Sequence, residues 1–337
     1  MASRGIEKRK AEHVGIALKK NVSFREKTSG FENVDFLYYC LPEMDFSEVD
    51  ARTTFLGRKL NAPFLVSSMT GGFKGAEKIN CDLACACEEK QIMLGLGSIR
   101  PLLQNPALAK SFCVKKKAPR VFLAGNIGAT QLHDYSANVI RGALEQIEAD
   151  AVFVHINALQ DVIQPDGDKK WKGVLAKIEN LCSKLDLPVI AKEVGAGING
   201  EIARELQYAG VAAIDVAGAG GTSWTAIELY RKGAAEGELY WDFGIPTAIA
   251  LKQCAANTNL PLIASGGVRS GLDGAKAIRL GASLAGAAVP FLKAQQAKGA
   301  NGVTFEIDSW VKALKIAMFC TRSRNLAQLK RAKLLSG

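Results

Sequence analysis

Residues 152–168 read VFVHINALQDVIQPDGD. An apolar run leads straight into His155, one of only three histidines, and Asn157, Gln160 and Asp161 follow within six positions. An imidazole, two amides and a carboxylate at the end of a strand can orient a polar substrate, move a proton or hold an oxygen-coordinated metal. A buried structural histidine would explain His155 alone; the amides and the carboxylate beside it favour a site.

A second candidate is Lys192, at the end of PVIAKE (188–193). A lysine there can form a Schiff base with a substrate, neutralise the N1–C2=O edge of a flavin, or simply pair with Glu193 or Asp215. Ser68, Thr70, Ser98 and Asn126 follow earlier apolar runs and offer neutral donors and acceptors. Two glycine-rich segments, DVAGAGGTSW (215–224) and ASGGVRSG (264–271), can turn successive backbone N–H groups toward an anion. Thr222 adds a donor, and the helix expected from DGAKAI adds its N-terminal partial charge. A phosphate on a flat polar heterocycle suits this array, so FMN fits better than a substrate alone. An aldolase-type lysine and a structural ion pair are the alternatives.

Such residues need elements to position them. Eight apolar runs recur at 64–69, 92–97, 121–126, 151–157, 188–193, 212–218, 261–267 and 284–289, with helical spacing between several of them. Strands alternating with helices imply right-handed parallel βαβ units, and eight such units match a (β/α)8 TIM barrel of the α/β class. An open doubly wound sheet is the competing arrangement, because periodicity does not show closure. In a barrel the active site lies at the C-terminal ends of the strands, where these polar residues and glycines stand. Residues 1–60 form an N-terminal segment expected to cover the barrel mouth, and residues 61–337 the barrel with a C-terminal helix and basic tail. The long connection at 218–260, with its YWDF cluster, reads as a lid or cofactor wall.

The net charge of +10 is spread along a chain with only 7% aromatic residues, which favours an anionic small molecule over nucleic acid. No run approaches the ~18 apolar residues that span a bilayer, and MASRGIEKRKAEH leads into no signal-peptide core, so a soluble, cytoplasmic protein is expected. The eight cysteines lack CxxC spacing and fit reduced thiols; the group Cys81, Cys85 and Cys87 reads as helix packing rather than a metal site.

Taken together, RKAEH (9–13), SSMTGG (67–72), GSIR (97–100), HINALQ (155–160), QPDGD (164–168), AKEVGAG (191–197), DVAGAGGTSW (215–224), FGIPT (243–247) and ASGGVRSGLDGAKAIRLGA (264–282) resemble the type 2 isopentenyl-diphosphate isomerases. The likeness runs from about residue 8 through the last strand and into the C-terminal helix. It implies an FMN- and Mg2+-dependent interconversion of isopentenyl and dimethylallyl diphosphates, a flavin reduced by NADPH or NADH, and a homotetramer or homooctamer. It further implies flavin contacts from Ser68, Met69, Thr70, Ser98, Asn126, Lys192 and Thr222, with phosphate at Gly267, Val268, Arg269, Ala288 and Val289. The diphosphate would meet Arg9, Lys10, His13, Ser98, Arg100, His155, Asn157 and Gln160, the last three also serving catalysis. Asp161 would hold the metal. Two departures stand out: Ala217 replaces a serine found in some members, and Asp161 replaces the usual glutamate with a side chain one methylene shorter. Helix capping is the alternative for Asp161. Rival readings are an FMN-barrel oxidoreductase of the α-hydroxy-acid oxidase type and a basic nucleic-acid-binding barrel.

Overall fold

The computed structural model describes residues 2–335. A short antiparallel hairpin, β1 (Thr53–Phe55) and β2 (Arg58–Leu60), precedes eight parallel strands. These are β3 (Phe64–Val66), β4 (Met93–Gly95), β5 (Phe122–Gly128), β6 (Ala151–Ile156), β7 (Val189–Glu193), β8 (Ala213–Asp215), β9 (Leu262–Ala264) and β10 (Leu284–Ala287). Each pairs with the next, and β10 pairs back onto β3, so the sheet is a closed barrel. All eight expected runs are barrel strands, and the open sheet is ruled out.

The helices begin with α1 (Ala2–Lys19), ahead of the hairpin, and continue with α2 (Ala76–Lys90), α3 (Arg100–Gln104), α4 (Ala137–Gln146), α5 (Ala158–Ile163) and α6 (Val174–Lys184). Then come α7 (Gly200–Tyr208), α8 (Trp224–Lys232), α9 (Glu236–Leu239), α10 (Thr247–Asn257), α11 (Gly271–Arg279), α12 (Val289–Cys320) and α13 (Leu326–Leu329). Their starts follow local chemistry: Ser136, Asn199, Ser223 and Ser270 each cap a helix by accepting from a backbone N–H. In α4, Ile140, Ala143 and Leu144 are buried at the spacing of one helix face. The C-terminal helix α12 is broken at Lys298 and Gly299, where Gly299 takes φ +58°. Among the described residues no helix is long and apolar enough to cross a membrane.

The barrel interior is layered. Leu65, Ala124, Phe153, Ile190, Ala213 and Ile263 belong to one apolar cluster inside it. Side chains alternate along a strand, so two residues further on the same face points inward again. Those next positions are Ser67, Asn126, His155, Lys192, Asp215 and Ser265. The core is therefore apolar below and polar at the mouth.

The N-terminal segment splits between the two ends of the barrel. Helix α1 reaches the mouth, where Lys10 bonds the loop after β4 and His13 bonds Glu228 of α8. The hairpin instead plugs the opposite end: Phe55 and Leu60 join the interior apolar cluster, and Arg58 donates to the carbonyl of Arg120 just before β5 (3.1 Å). Sequence reading expected the whole segment at the mouth; alternation within the hairpin sends its apolar face to the open bottom of the barrel instead.

Candidate active site

Two adjoining cavities open at the C-terminal ends of the strands, with void space, mouths included, of about 1010 and 1260 Å³. They share Ser68, Met69, Lys192, Val194 and Trp224 as a common wall. Arg9, Lys10, His13, Ser98, Arg100, Asn126, His155, Asn157, Gln160 and Asp161 line the first. Thr222, Gly267, Val268, Arg269, Ala288 and Val289 line the second. Of the residues assigned to flavin, diphosphate or metal, Thr70 alone lines neither. Its side chain is buried against Asn80 of α2, and its carbonyl accepts from Gly97 N (2.8 Å), so it braces the loop that carries Ser68 and Met69.

The first cavity concentrates cations. Arg9 and Lys10 arrive on α1, and Arg100 begins α3, three groups converging on one space. Lys10 Nζ donates to the carbonyl of Ser98 (2.6 Å). Burial, then the nearby Arg9 and Arg100, lower the Lys10 ammonium to about 7. Burial and the positive charges of Lys10, Lys192, Arg100 and Arg9 push His155 down to about 3, so its ring is neutral. The Asn126 side-chain oxygen accepts from His155 Nδ1 (2.7 Å), which leaves Nε2 as the free lone pair.

Helix α5 positions Asn157, Gln160 and Asp161. Asn157 stands at its N-cap position, and Asp161 lies inside the helix with its N–H donating to the Asn157 carbonyl (2.9 Å), so Asp161 is not the cap. Asn157 Nδ2 donates to Asp161 Oδ1 (3.0 Å) and Gln160 Oε1 (3.3 Å). Asn157 Oδ1 and Asp161 Oδ2 are buried without a partner, and so is Arg100 Nε. Burial raises the Asp161 carboxyl to about 7. No cluster of three His, Cys, Asp or Glu able to hold a metal exists among the described residues. Two orphaned oxygens beside an anion pocket nevertheless fit Mg2+, which keeps several waters and takes few protein ligands when it binds a diphosphate.

The second cavity is a backbone cradle. A Cβ on Gly266, at φ +94°, would stand 2.1 Å from the Gly218 carbonyl, and one on Gly221 would stand 2.5 Å from Gly267 N. The two glycine loops thus pack main chain against main chain. Ser67 Oγ and Ser68 Oγ are buried without partners. Unsatisfied hydroxyls, a buried lysine and glycine loops at one cavity are what the ring edge and phosphate of FMN require, so these residues fit that group.

Several site residues escaped sequence reading. Glu228 of α8 is wholly buried and accepts from His13 Nε2 (2.9 Å), Arg231 Nε (2.7 Å) and Gln160 Nε2 (3.3 Å). Burial alone would raise its carboxyl, but His13 and Arg231 outweigh this and hold it below the usual range. Gln164 joins the same group, donating to Glu228 (3.1 Å) and accepting from Arg9 Nη1 (2.9 Å). Asp166 bridges Arg231 (2.8 Å) and Arg9 (3.4 Å). For Glu228 and Arg231 the one local signal is an acid–base pair three residues apart after GGTSW, which ordinarily marks a solvated helix face, while Gln164 and Asp166 stand in the QPDGD motif with no role assigned to them individually.

The model of the FMN-dependent dehydrogenase family matches residues 2–105 and 133–336. Curated relatives named isopentenyl-diphosphate delta-isomerase share 46% identity in Nostoc sp. and 44% in Pyrococcus furiosus, each over 97% of this chain and over 95% and 86% of the relative. A Rickettsia bellii relative of the same name is 44% identical over 97% of both chains. Among solved structures, a mandelate oxidase superposes over 100% of both chains (TM-score 0.69, 17% identity). A flavocytochrome b2 variant with pyruvate bound covers 94% of this chain and 81% of its own (TM-score 0.70, 20% identity). The structural likenesses carry the barrel alone. The sequence likenesses carry more: the chain belongs to the FMN-dependent dehydrogenase barrels and, among them, to the type 2 isopentenyl-diphosphate delta-isomerases.

Proposed function

We propose that this chain interconverts isopentenyl and dimethylallyl diphosphates on bound FMN. In this reading Mg2+ sits at Asp161, NADPH keeps the flavin reduced, and the protein works in the cytoplasm as a homotetramer or homooctamer. One observation supports it most: a pocket of converging cations shares a wall with a glycine cradle, so a diphosphate and a flavin would meet across Lys192, Met69 and Trp224.

Isomerisation adds a proton at C4 and removes one from C2, with positive charge developing between. Reduced FMN supplies the acid and base for these transfers. Arg9, Lys10 and Arg100 hold the diphosphate, and Asn157 and Asp161 offer oxygens to its metal. His13, tied to Glu228, contributes position rather than charge, because burial lowers its imidazole. Gln160, pinned by Asn157 and Glu228, presents a neutral amide. The half-exposed Met69 and Trp224 wall the reacting carbons from water, and the indole face suits a nearby positive charge.

The oxidase reading has the shared barrel in its favour and the imidazoles against it. His155 is the one histidine in the polar layer and is held neutral by its surroundings, a poor base for abstracting a substrate proton. Turnover of isopentenyl diphosphate in D2O, with dithionite-reduced enzyme, tests the proposal. Deuterium should enter recovered substrate and dimethylallyl diphosphate with no oxidised organic product. Accumulation of an oxidised product without exchange would replace the isomerase reading with the oxidase one.

A further inference from the structure

Lys192, Asp215 and Ser265 form a closed triangle inside the barrel. Lys192 Nζ donates to Asp215 Oδ2 (2.7 Å) and Ser265 Oγ (3.2 Å), and Ser265 Oγ donates to Asp215 Oδ1 (2.7 Å). Lys192 and Asp215 stand on adjacent strands β7 and β8, directly opposite each other in the ladder, and Ser265 directly follows the neighbouring strand β9. Their exposures differ in a telling way. Lys192 lines both cavities, whereas Asp215 lines neither and has no accessible surface. Asp215 therefore reaches the site only through Lys192 and through Ser265, which lines the glycine-rich cavity. Its carboxylate has both oxygens occupied and cannot turn away, so it fixes where the ammonium stands. It also sets how much of that charge remains for the cavity, since opposite charges in contact offset each other at longer range and an enclosed site screens little.

We propose that Asp215, steadied by Ser265, is a positioning residue that holds Lys192 at the junction of the two cavities and offsets part of its charge, thereby setting how strongly the protein favours anionic reduced FMN over the oxidised form. This rests on the reading that FMN occupies the glycine-lined cavity beside Lys192. A structural ion pair would anchor β7 to β8 with no bearing on flavin affinity; the proposal ties the pair to the redox state that is bound.

The test is the midpoint potential of the FMN-loaded enzyme by spectroelectrochemistry, with the affinities of oxidised and reduced FMN measured alongside. Asp215→Asn keeps the shape and removes the charge. It should favour reduced over oxidised FMN by about tenfold relative to the parent, which is a midpoint about 30 mV more positive for a two-electron couple. Asp215→Ser, which leaves room for a water on Lys192, should shift the potential in the same direction. Lys192→Met should shift it the other way. If Lys192→Met shifts the potential and neither Asp215 variant does, the proposal falls while the flavin placement stands. If Lys192→Met also leaves potential and affinity unchanged, the flavin placement itself is wrong. If neither Asp215 variant folds with FMN but Lys192→Met/Asp215→Leu does, the pair is structural only and the proposal is overturned.

Discussion

His155, Lys10 and Asp161 show how one enclosed space treats three ionisable groups differently. Burial disfavours charge in all of them, so the imidazole and the ammonium go down and the carboxyl goes up. For Lys10 the folded value of about 7 lies below the unfolded one. Between them the unfolded chain binds the extra proton, so this group's contribution to stability rises with pH through that window. A diphosphate favours the charged ammonium, so substrate binding above pH 7 should take up a proton. Calorimetry in two buffers of different ionisation enthalpy reads that uptake directly. It should vanish in Lys10→Met, and a parent enzyme whose binding heat ignores the buffer would refute the assignment. For Asp161 the sign is opposite: its folded value of about 7 means the carboxylate is lost as pH falls through neutrality. The Mg2+ concentration for half-maximal activity should rise between pH 8 and pH 6. Asp161→Asn should need more Mg2+ at both pH values and lose that pH dependence, while Asp161→Glu largely keeps function. Identical Mg2+ titrations for Asp161→Asn and the parent would remove Asp161 from the metal site.

At the scale of elements, the site depends on loops that touch through their main chains and on one helix that joins several parts. Gly221 faces Gly267 N so closely that any side chain forces backbone apart, with no flexible group to yield. Gly221→Ala should weaken FMN retention at least tenfold, as followed by flavin fluorescence on ultrafiltration; normal retention would mean the loops do not form the phosphate cradle. Helix α8 carries Glu228 and Arg231 beneath α1, and Arg231 is only 2% exposed in its side chain. Glu228→Ala would leave that buried guanidinium with only the half-exposed Asp166 as partner, so the loss should approach the ~3–5 kcal/mol typical of breaking a buried ion pair. Denaturant unfolding should show a loss of that order, with Glu228→Ala/Arg231→Met recovering part of it. An effect below about 1 kcal/mol would show that water enters freely and that α8 does not organise the mouth.

Across the whole molecule, chemistry and stability are kept at opposite ends of the barrel. Polar residues fill the inward positions at the mouth, while the β1–β2 hairpin and the apolar layer close the bottom. Phe55 is 2% exposed within that plug. Phe55→Ala should therefore destabilise the fold by roughly 3–5 kcal/mol in chemical denaturation. The visible spectrum and FMN affinity of the molecules that remain folded should not change. A perturbed flavin in that variant would show that the two ends are coupled through the barrel core.

Local patterns determined a large share of this protein. The eight strand runs are legible because a strand buried on both faces must be apolar, and their polar ends are legible because barrels carry function there. The glycine segments are legible for a similar reason: close main-chain approach excludes side chains wherever it occurs. What depended on closure was hidden. Asp215, one of two candidate partners for Lys192 in the sequence, is its partner because β7 and β8 lie in register. Glu193, the other, instead accepts from four successive backbone N–H groups of its own loop, 194–197. Glu228 and Arg231 read as a solvated helix face until α1 folds over them across more than 200 residues of chain. Thr70 and the hairpin show the same limit, since a side chain's direction at a strand end or in a short ribbon is decided by what packs against it. Contacts between residues near in sequence are written in periodicity and residue type, whereas contacts between distant segments follow from the register and closure of the barrel, which no short stretch encodes.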